Sequence, residues 1–244
     1  MSDAEKNLYL LDCYMKEFEA TVESVKEDKF VVLDKTAFYP NAGGQPYDTG
    51  KFIAEDGTEY NVVFVGKFGG VISHEIEVGD KPGLKPSDKI KGVIDWDRRY
   101  RLMRMHTAAH VISIIIEKDC DALITGNQLG LDKSRIDFNL EDFDRDKFAG
   151  YMDEANEIIK KGAKVTLSLL PKEEAVQKYE RLTNLAKGFS DEIKEIRIVE
   201  IEGVTAEACG GTHLKDISEI KGVKLVKLDN KGKNNRRLYY ELVD

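Results

Sequence analysis

The chain has 244 residues, 41% of them hydrophobic, and a net charge of −8, which is enough apolar content to bury a core in one large domain or two modest ones and excludes a disordered protein. No run approaches the roughly 18 consecutive apolar residues of a membrane span, and the acidic opening MSDAEKNLYLLD does not fit a signal peptide. Three widely spaced cysteines, Cys13, Cys120 and Cys209, point away from a disulfide framework and towards a cytoplasmic protein in which a cysteine that matters does so as a thiolate.

From Glu17 to about Val93 the pattern is that of short strands. FEATVESV and KFVVLDKT alternate or run β-branched, Asp56-Gly57 marks a tight turn between FIAE and EYNVVFV, and VISHEIEV follows Gly69-Gly70. These predict a small β-barrel or sandwich, with His74 on a strand surface and DKPGLKPSDK leading out of the last hairpin. After KGVIDW the period changes. Asp97 to Glu117 reads as a helix whose stripe of Leu102, Met105, Ala109, Ile112 and Ile116 is buried, and whose VISIII run is enclosed on most sides. Strand SRIDFNL, helix RDKFAGYMDEANEIIKK, strand AKVTLSLL, a helix opening at Pro171, strand EIRIVEI and a terminal hairpin KLVKLDN-KGKNN-RRLYYELV follow. The expected fold is α+β: a β-barrel domain over residues 1–90, then a two-layer α/β sandwich with a mostly antiparallel sheet over 91–244. No internal repeat is present.

Positions i and i+4 share one face of a helix, so His106 and His110 of MHTAAHV can present two nitrogens to one metal ion. Cys209 and His213 of EACGGTHL add a thiolate and an imidazole, with Gly210-Gly211 allowing the backbone to fold tightly between them. His, His, Cys and His form the donor set zinc takes in preference to magnesium or calcium. Two stretches are odd for a scaffold. In TAFYPNAGGQPYDTG, Gly43-Gly44 can bring backbone close to a ligand and Gln45 offers an amide; in TGNQLGLDKSRIDFN, Arg135 and Asp137 share one strand face and, taken alone, read as an ion pair.

In this order, TAFYPNAGGQPYDTG, RRYRLMRMHTAAH, TGNQLGLDKSRIDFN and EACGGTHL resemble the editing region of alanyl-tRNA synthetases as found in the free-standing AlaX family of alanyl-tRNA editing proteins. The resemblance spans roughly residues 36–214. Threonyl-tRNA synthetase editing domains carry related metal motifs, but the GGQ-bearing β domain points to the alanyl branch. The chain as it stands has no class II catalytic core, which resembles the medium-length AlaX form. The resemblance implies zinc-assisted deacylation, in trans, of tRNA(Ala) mischarged with serine, with glycine as a second candidate amino acid. It also implies that Gln45 orients water or substrate and that Thr125 contacts the serine side chain, with Gly43, Gly44, Arg135 and Asp137 as the candidate substrate-binding residues.

An aminoacyl ester has an easy leaving group, so hydrolysis needs a positioned water and a polarised carbonyl more than strong acid/base chemistry, and HTAAH can dispense with the glutamate of the peptidase motif HExxH. Four protein ligands would nevertheless fill a tetrahedral zinc, and a non-catalytic tRNA-binding module with a structural zinc is the alternative reading. From Lys221 to Arg237 seven basic residues face one acid, Asp229. With Arg98, Arg99, Arg101 and Arg104 ahead of the metal helix, this strip supplies the tRNA candidates Lys231, Lys233, Arg236 and Arg237, with Lys224 and Lys227 beside them. No membrane partner is expected, and monomer and homodimer are both compatible with the sequence.

Overall fold

The computed structural model describes residues 3–141, 144–179 and 194–244. The described chain divides into two compact units, residues 1–103 with Leu129–Leu131, and the remainder. Apart from a four-residue helix α1 (Asp3–Lys6), the first unit is built on β1 (Glu17–Lys26), β2 (Phe30–Leu33), β3 (Gly50–Ala54), β4 (Glu59–Phe68), β5 (Val71–Glu77) and β6 (Lys89–Ile94). They close an antiparallel barrel in the order β1-β2-β5-β4-β3-β6, which leaves no free sheet edge. Alternation fills its interior: Phe18, Ala20 and Val22 of β1 meet Val31 and Leu33 of β2, Phe52 of β3 and Ile90 of β6.

His74 corrects the sequence expectation. It lies in β5 between the inward-facing Ile72 and Ile76 and is wholly buried. Strand period put it in the core, and two hydrogen bonds keep it there: Nδ1 lies 3.0 Å from the Val31 carbonyl and Nε2 2.9 Å from Thr36 Oγ1. Burial pushes its pKa down to about 4, so the imidazole sits neutral among Phe38 and Phe52.

The unit boundary falls inside α2 (Trp96–Cys120). In the second unit α2 is apolar on nearly every side, with Met105, Ala108, Val111, Ile112 and Ile116 all buried. It packs with two antiparallel sheets rather than the one expected. The four-stranded sheet is β12-β13-β8-β7, from β7 (Ile124–Gln128), β8 (Ser134–Phe138), β12 (Val223–Asn230) and β13 (Arg236–Leu242); the three-stranded sheet is β11-β10-β9, from β9 (Val165–Pro171), β10 (Glu195–Ile201) and β11 (Thr205–Ala208). The predicted hairpin is the β12-β13 pair. Strands β7 and β11 have no sequence signature, because β7 (ITGNQ) faces solvent along its length and β11 (TAEA) is four residues long.

Helix α3 (Arg145–Lys161) matches its predicted span. Asp144 caps its N-terminus, accepting from the backbone of Asp146 and Lys147, while Phe148, Tyr151, Met152, Ala155 and Ile159 bury one face. Helix α4 (Lys172–Lys178) begins directly after Pro171. Among the described residues no helix is long and apolar enough to cross a membrane.

Candidate metal centre and its surroundings

The i, i+4 spacing on α2 brings the His106 and His110 rings to 5.3 Å, nearly parallel at 15°. The loop after β11 delivers the other two side chains, so that one donor atom from each of His106, His110, Cys209 and His213 lies within 4.8 Å of the others. Cys209 Sγ is 3.5 Å from His106 Nε2 and 3.3 Å from His213 Nε2. A tetrahedral zinc with its usual N and S bond lengths has ligand–ligand edges of about 3.3–3.6 Å, so these spacings already suit the ion.

A second observation concerns His110, whose buried Nε2 has no hydrogen-bond partner. Its Nδ1 lies 2.9 Å from a Glu207 carboxylate oxygen, so Nδ1–H donates there and Nε2 is left for the cluster, the arrangement found around zinc-bound histidines. The donor set fits a zinc ion. Electrostatics agrees: burial alone would raise the Cys209 thiol, but the facing His106 and His213 hold it well below its ordinary range. Burial likewise opposes charge on His110, yet Glu207 and the Cys209 sulfur carry its pKa up to about 10, so Nε2 would give up a proton on taking a metal and expose its lone pair only then, whereas burial and His106 push His213 down to about 3.

Three further residues build this site: Glu207 and Thr107 lie inside EACGGTHL and HTAAH but have no donor role there, and Arg197 lies outside both stretches. Glu207 precedes Cys209 by two in an extended strand and accepts from Thr205 Oγ1 at 3.0 Å as well as from His110. Thr107 Oγ1 accepts from the Leu214 backbone at 3.1 Å and lies 3.4 Å from His213 Nδ1. Arg197, buried in β10, donates from Nη1 to the carbonyls of Cys209 and Gly211 at 2.7 and 2.8 Å. That guanidinium, more than the glycines, holds the loop: neither Gly210 nor Gly211 has a positive φ. The one legible signal was Arg197 set between Ile196 and Ile198 in EIRIVEI.

In the barrel unit, Gln45 N donates to the Ala42 carbonyl at 2.9 Å and Ala42 N to the Gln45 carbonyl at 3.3 Å. This closes a two-residue turn with Gly43 and Gly44 at φ +56° and +80°, positive at both positions as a type I′ turn demands. The glycine pair forms the exposed tip, while the Gln45 side chain is buried. Leu129 N donates to the Gly44 carbonyl at 2.8 Å, and Asp48 accepts from Tyr39 N and both Nε and Nη2 of Arg99.

In the second unit, Thr125 sits where the β7–β8 register slips between Ile124 and Gly126, and its side chain is exposed. Such a bulge turns a side chain out of the ladder. Asp137 is gripped on both sides, by Arg135 Nη1 at 2.6 Å and by Nε and Nη2 of Arg237 at 2.7 and 2.8 Å. Burial works against its charge, but the two guanidinium groups hold its carboxyl below the usual range. Arg135 and Asp137 thus form the ion pair that their spacing predicts, extended by Arg237 from the neighbouring strand.

Residues 3–98 match the family described as tRNA synthetases class II (A), and residues 196–239 the Threonyl and Alanyl tRNA synthetase second additional domain. The alanyl-tRNA editing protein AlaX-M of Methanosarcina barkeri is 67% identical over 239 residues, 97% of this chain and 98% of its own length. That of Saccharolobus solfataricus is 42% identical over 96% of this chain and 98% of its own. The chain belongs to the AlaX-M family of alanyl-tRNA editing proteins. The alanine–tRNA ligase of Pyrococcus abyssi is 39% identical over 92% of this chain, which spans 24% of that enzyme.

For this AlaX-M family member the basic residues split into two groups. Arg99 is wholly buried, its donors spent on Asp48 and the Cys13 and Ala37 carbonyls. Arg104 is nearly so, paired with Asp244 and the Ile220 carbonyl, and Arg236 is buried as a staple of the β12–β13 turn, donating to Asn230 and the Gly232 carbonyl. These three serve the fold. Arg98, Arg101 and Arg237 are half-buried, and Lys231 and Lys233 stand exposed. Of the remaining cysteines, Cys13 is buried against the Tyr9 carbonyl and Cys120 lies 3.0 Å from the Tyr151 hydroxyl.

Proposed function

We propose that the chain hydrolyses the aminoacyl ester of tRNA(Ala) mischarged with serine, in trans, using zinc held by His106, His110, Cys209 and His213. One observation carries this reading: four zinc-type donors converge, with the orphaned His110 Nε2 among them, in a chain 67% identical to an alanyl-tRNA editing protein across 98% of that protein's length. Bound zinc supplies a Lewis acid for an ester carbonyl or its attacking water. The chain's own residues do the rest. Glu207 holds the His110 proton at Nδ1, and Thr107 and Arg197 fix the second ligand pair.

Thr125, turned outward at its bulge, is assigned to the serine hydroxyl. A site that hydrogen-bonds that hydroxyl leaves its own polar group unpaired against alanine, and so spares correctly charged tRNA more sharply than an apolar pocket would. Gln45 orients substrate or water from behind the Gly43–Gly44 turn, and Arg135 and Asp137 form the wall of the amino-acid pocket. Arg98, Arg101, Lys231, Lys233 and Arg237 meet phosphates of the tRNA. In this reading residues 1–90 carry the GGQ loop, residues 91–244 are the zinc-binding editing domain, glycine is a second amino acid cleared, and the protein works in the cytoplasm alongside translation.

The four-donor set also favours a second reading, a tRNA-binding module with a structural zinc. The two separate on release of labelled serine from Ser-tRNA(Ala), measured beside Ala-tRNA(Ala), before and after chelation and with Cys209→Ala. Hydrolysis of the seryl ester alone, lost on chelation and restored by zinc, is expected. Tight tRNA binding without turnover of either ester would leave the binding module.

A further inference from the structure

Strand β4 ends in an aromatic row that nothing in the metal chemistry uses. Phe64, Gly66 and Phe68 alternate onto one side of the strand, and Phe68 is 64% exposed at the hairpin tip. Gly66 has ordinary backbone, but a Cβ there would lie 2.8 Å from the rings of both phenylalanines. Both rings therefore lie down over the glycine from either side. Tyr47 continues the row, its ring 4.6 Å from Phe64 in a T-shaped contact. The row ends on Arg98, whose guanidinium stands 5.3 Å over Tyr47 while its Nε donates to the Tyr47 carbonyl at 3.0 Å.

Position and charge indicate what covers this row. Asn41 N donates to the Val65 carbonyl at 2.9 Å, so the Gly43–Gly44 turn stands beside it in the same unit. The facing strand β5 contributes Val71, Ser73 and Glu75 opposite Phe68, Gly66 and Phe64. Glu75 is tied to Lys29 at 2.8 Å, so no uncompensated carboxylate from these positions opposes a phosphate, on a chain of net charge −8. A lone exposed phenylalanine is ordinary. Three rings in a row, with a guanidinium 5.3 Å over the last, offer aromatic faces of the kind on which unpaired bases stack and a cation for the backbone between them.

We propose that Phe68, Phe64 and Tyr47, with Arg98, form a stacking platform for unpaired bases of a single-stranded RNA end, the acceptor end of the tRNA substrate. The inference of RNA rests on the editing reading, and its test is separable from that reading.

In the Trp96→Phe, Phe68→Trp protein the single tryptophan sits on the platform. Titration with the RNA oligonucleotide ACCA should quench its fluorescence, whereas the abasic ribose-phosphate of equal length should not. Phe68→Ala should raise KM for Ser-tRNA(Ala) about tenfold, the scale of one lost base stack, with kcat within about twofold, and should leave seryl-adenosine hydrolysis unchanged. Equal quenching by both oligonucleotides, no quenching, or an unchanged KM would overturn the platform. A dimer in sedimentation that Phe68→Ala dissolves would overturn it in favour of a contact between copies. Loss of all deacylation in the unsubstituted protein would sink the editing reading instead, and the quenching titration would still report on the platform.

Discussion

Glu207 makes a sharp test of the metal centre because its carboxylate accepts from His110 Nδ1 and so orients that ring. Removing such an orienting carboxylate costs about 10- to 100-fold in metal affinity, so Glu207→Ala should weaken zinc binding by that factor in competition with a chromophoric chelator. The His106 and Cys209 side chains stay in place. Thr125→Val keeps the shape and removes the hydroxyl; seryl-ester hydrolysis should fall about 10- to 100-fold while the alanyl ester stays uncleaved, and equal activity on seryl-tRNA would remove Thr125 from the pocket. The four donors were legible because HTAAH sits at helical spacing and CGGTH packs a thiol and an imidazole into one loop. Glu207, Thr107 and Arg197 were not. Each acts through partners 97 to 107 or 12 to 14 positions away, and a single sequence states no pairing across such separations.

At the scale of elements, the barrel holds two charges or near-charges whose removal is measurable. The unfolded chain takes up a proton on His74 near pH 6.5, but the folded barrel refuses it until about pH 4. Its contribution is therefore full above about pH 6.5 and lost as pH falls towards 4, by about 3 kcal/mol at the limit. His74→Gln should flatten that part of the fall in unfolding midpoint between pH 7 and 5; an unchanged slope would mean the imidazole titrates normally. Arg99→Leu leaves Asp48 buried and unpaired, which should cost about 3–5 kcal/mol in denaturant unfolding. Strands β1 to β5 were readable from alternation and turns, while β6, beyond the proline-bearing connection DKPGLKPSDK, was not singled out. His74 was misplaced because a polar residue in VISHEIEV reads as outward, although the same alternation that places Ile72 and Ile76 inward settles it. The largely exposed β7 and four-residue β11 offered no period to read, and with them went the division of the second unit into two sheets.

Over the whole molecule, zinc removal and salt act on different parts. Chelation should lower the unfolding midpoint of the second unit, whose helix α2 and β11 loop the donors join, while far-UV signal from the barrel melts at an unchanged temperature. Binding of tRNA should weaken linearly in log[salt], and Lys233→Ala should reduce the slope by about 1 while Arg236→Ala chiefly destabilises the hairpin. A slope unmoved by Lys233→Ala would take the strip out of the tRNA interface.

The hydrogen bond from Leu129 to Gly44 sets an order of events during synthesis. The barrel strands are complete by Ile94, yet the carbonyl at the tip of the glycine turn waits for a donor 85 positions further on. A ribosome has therefore emitted the whole of α2 and strand β7 before the turn can be latched. A nascent chain that has emerged past Ile94 but not as far as Leu129 should be cleaved at Gly43–Gly44 more readily than the full chain, while the barrel strands are equally protected in both.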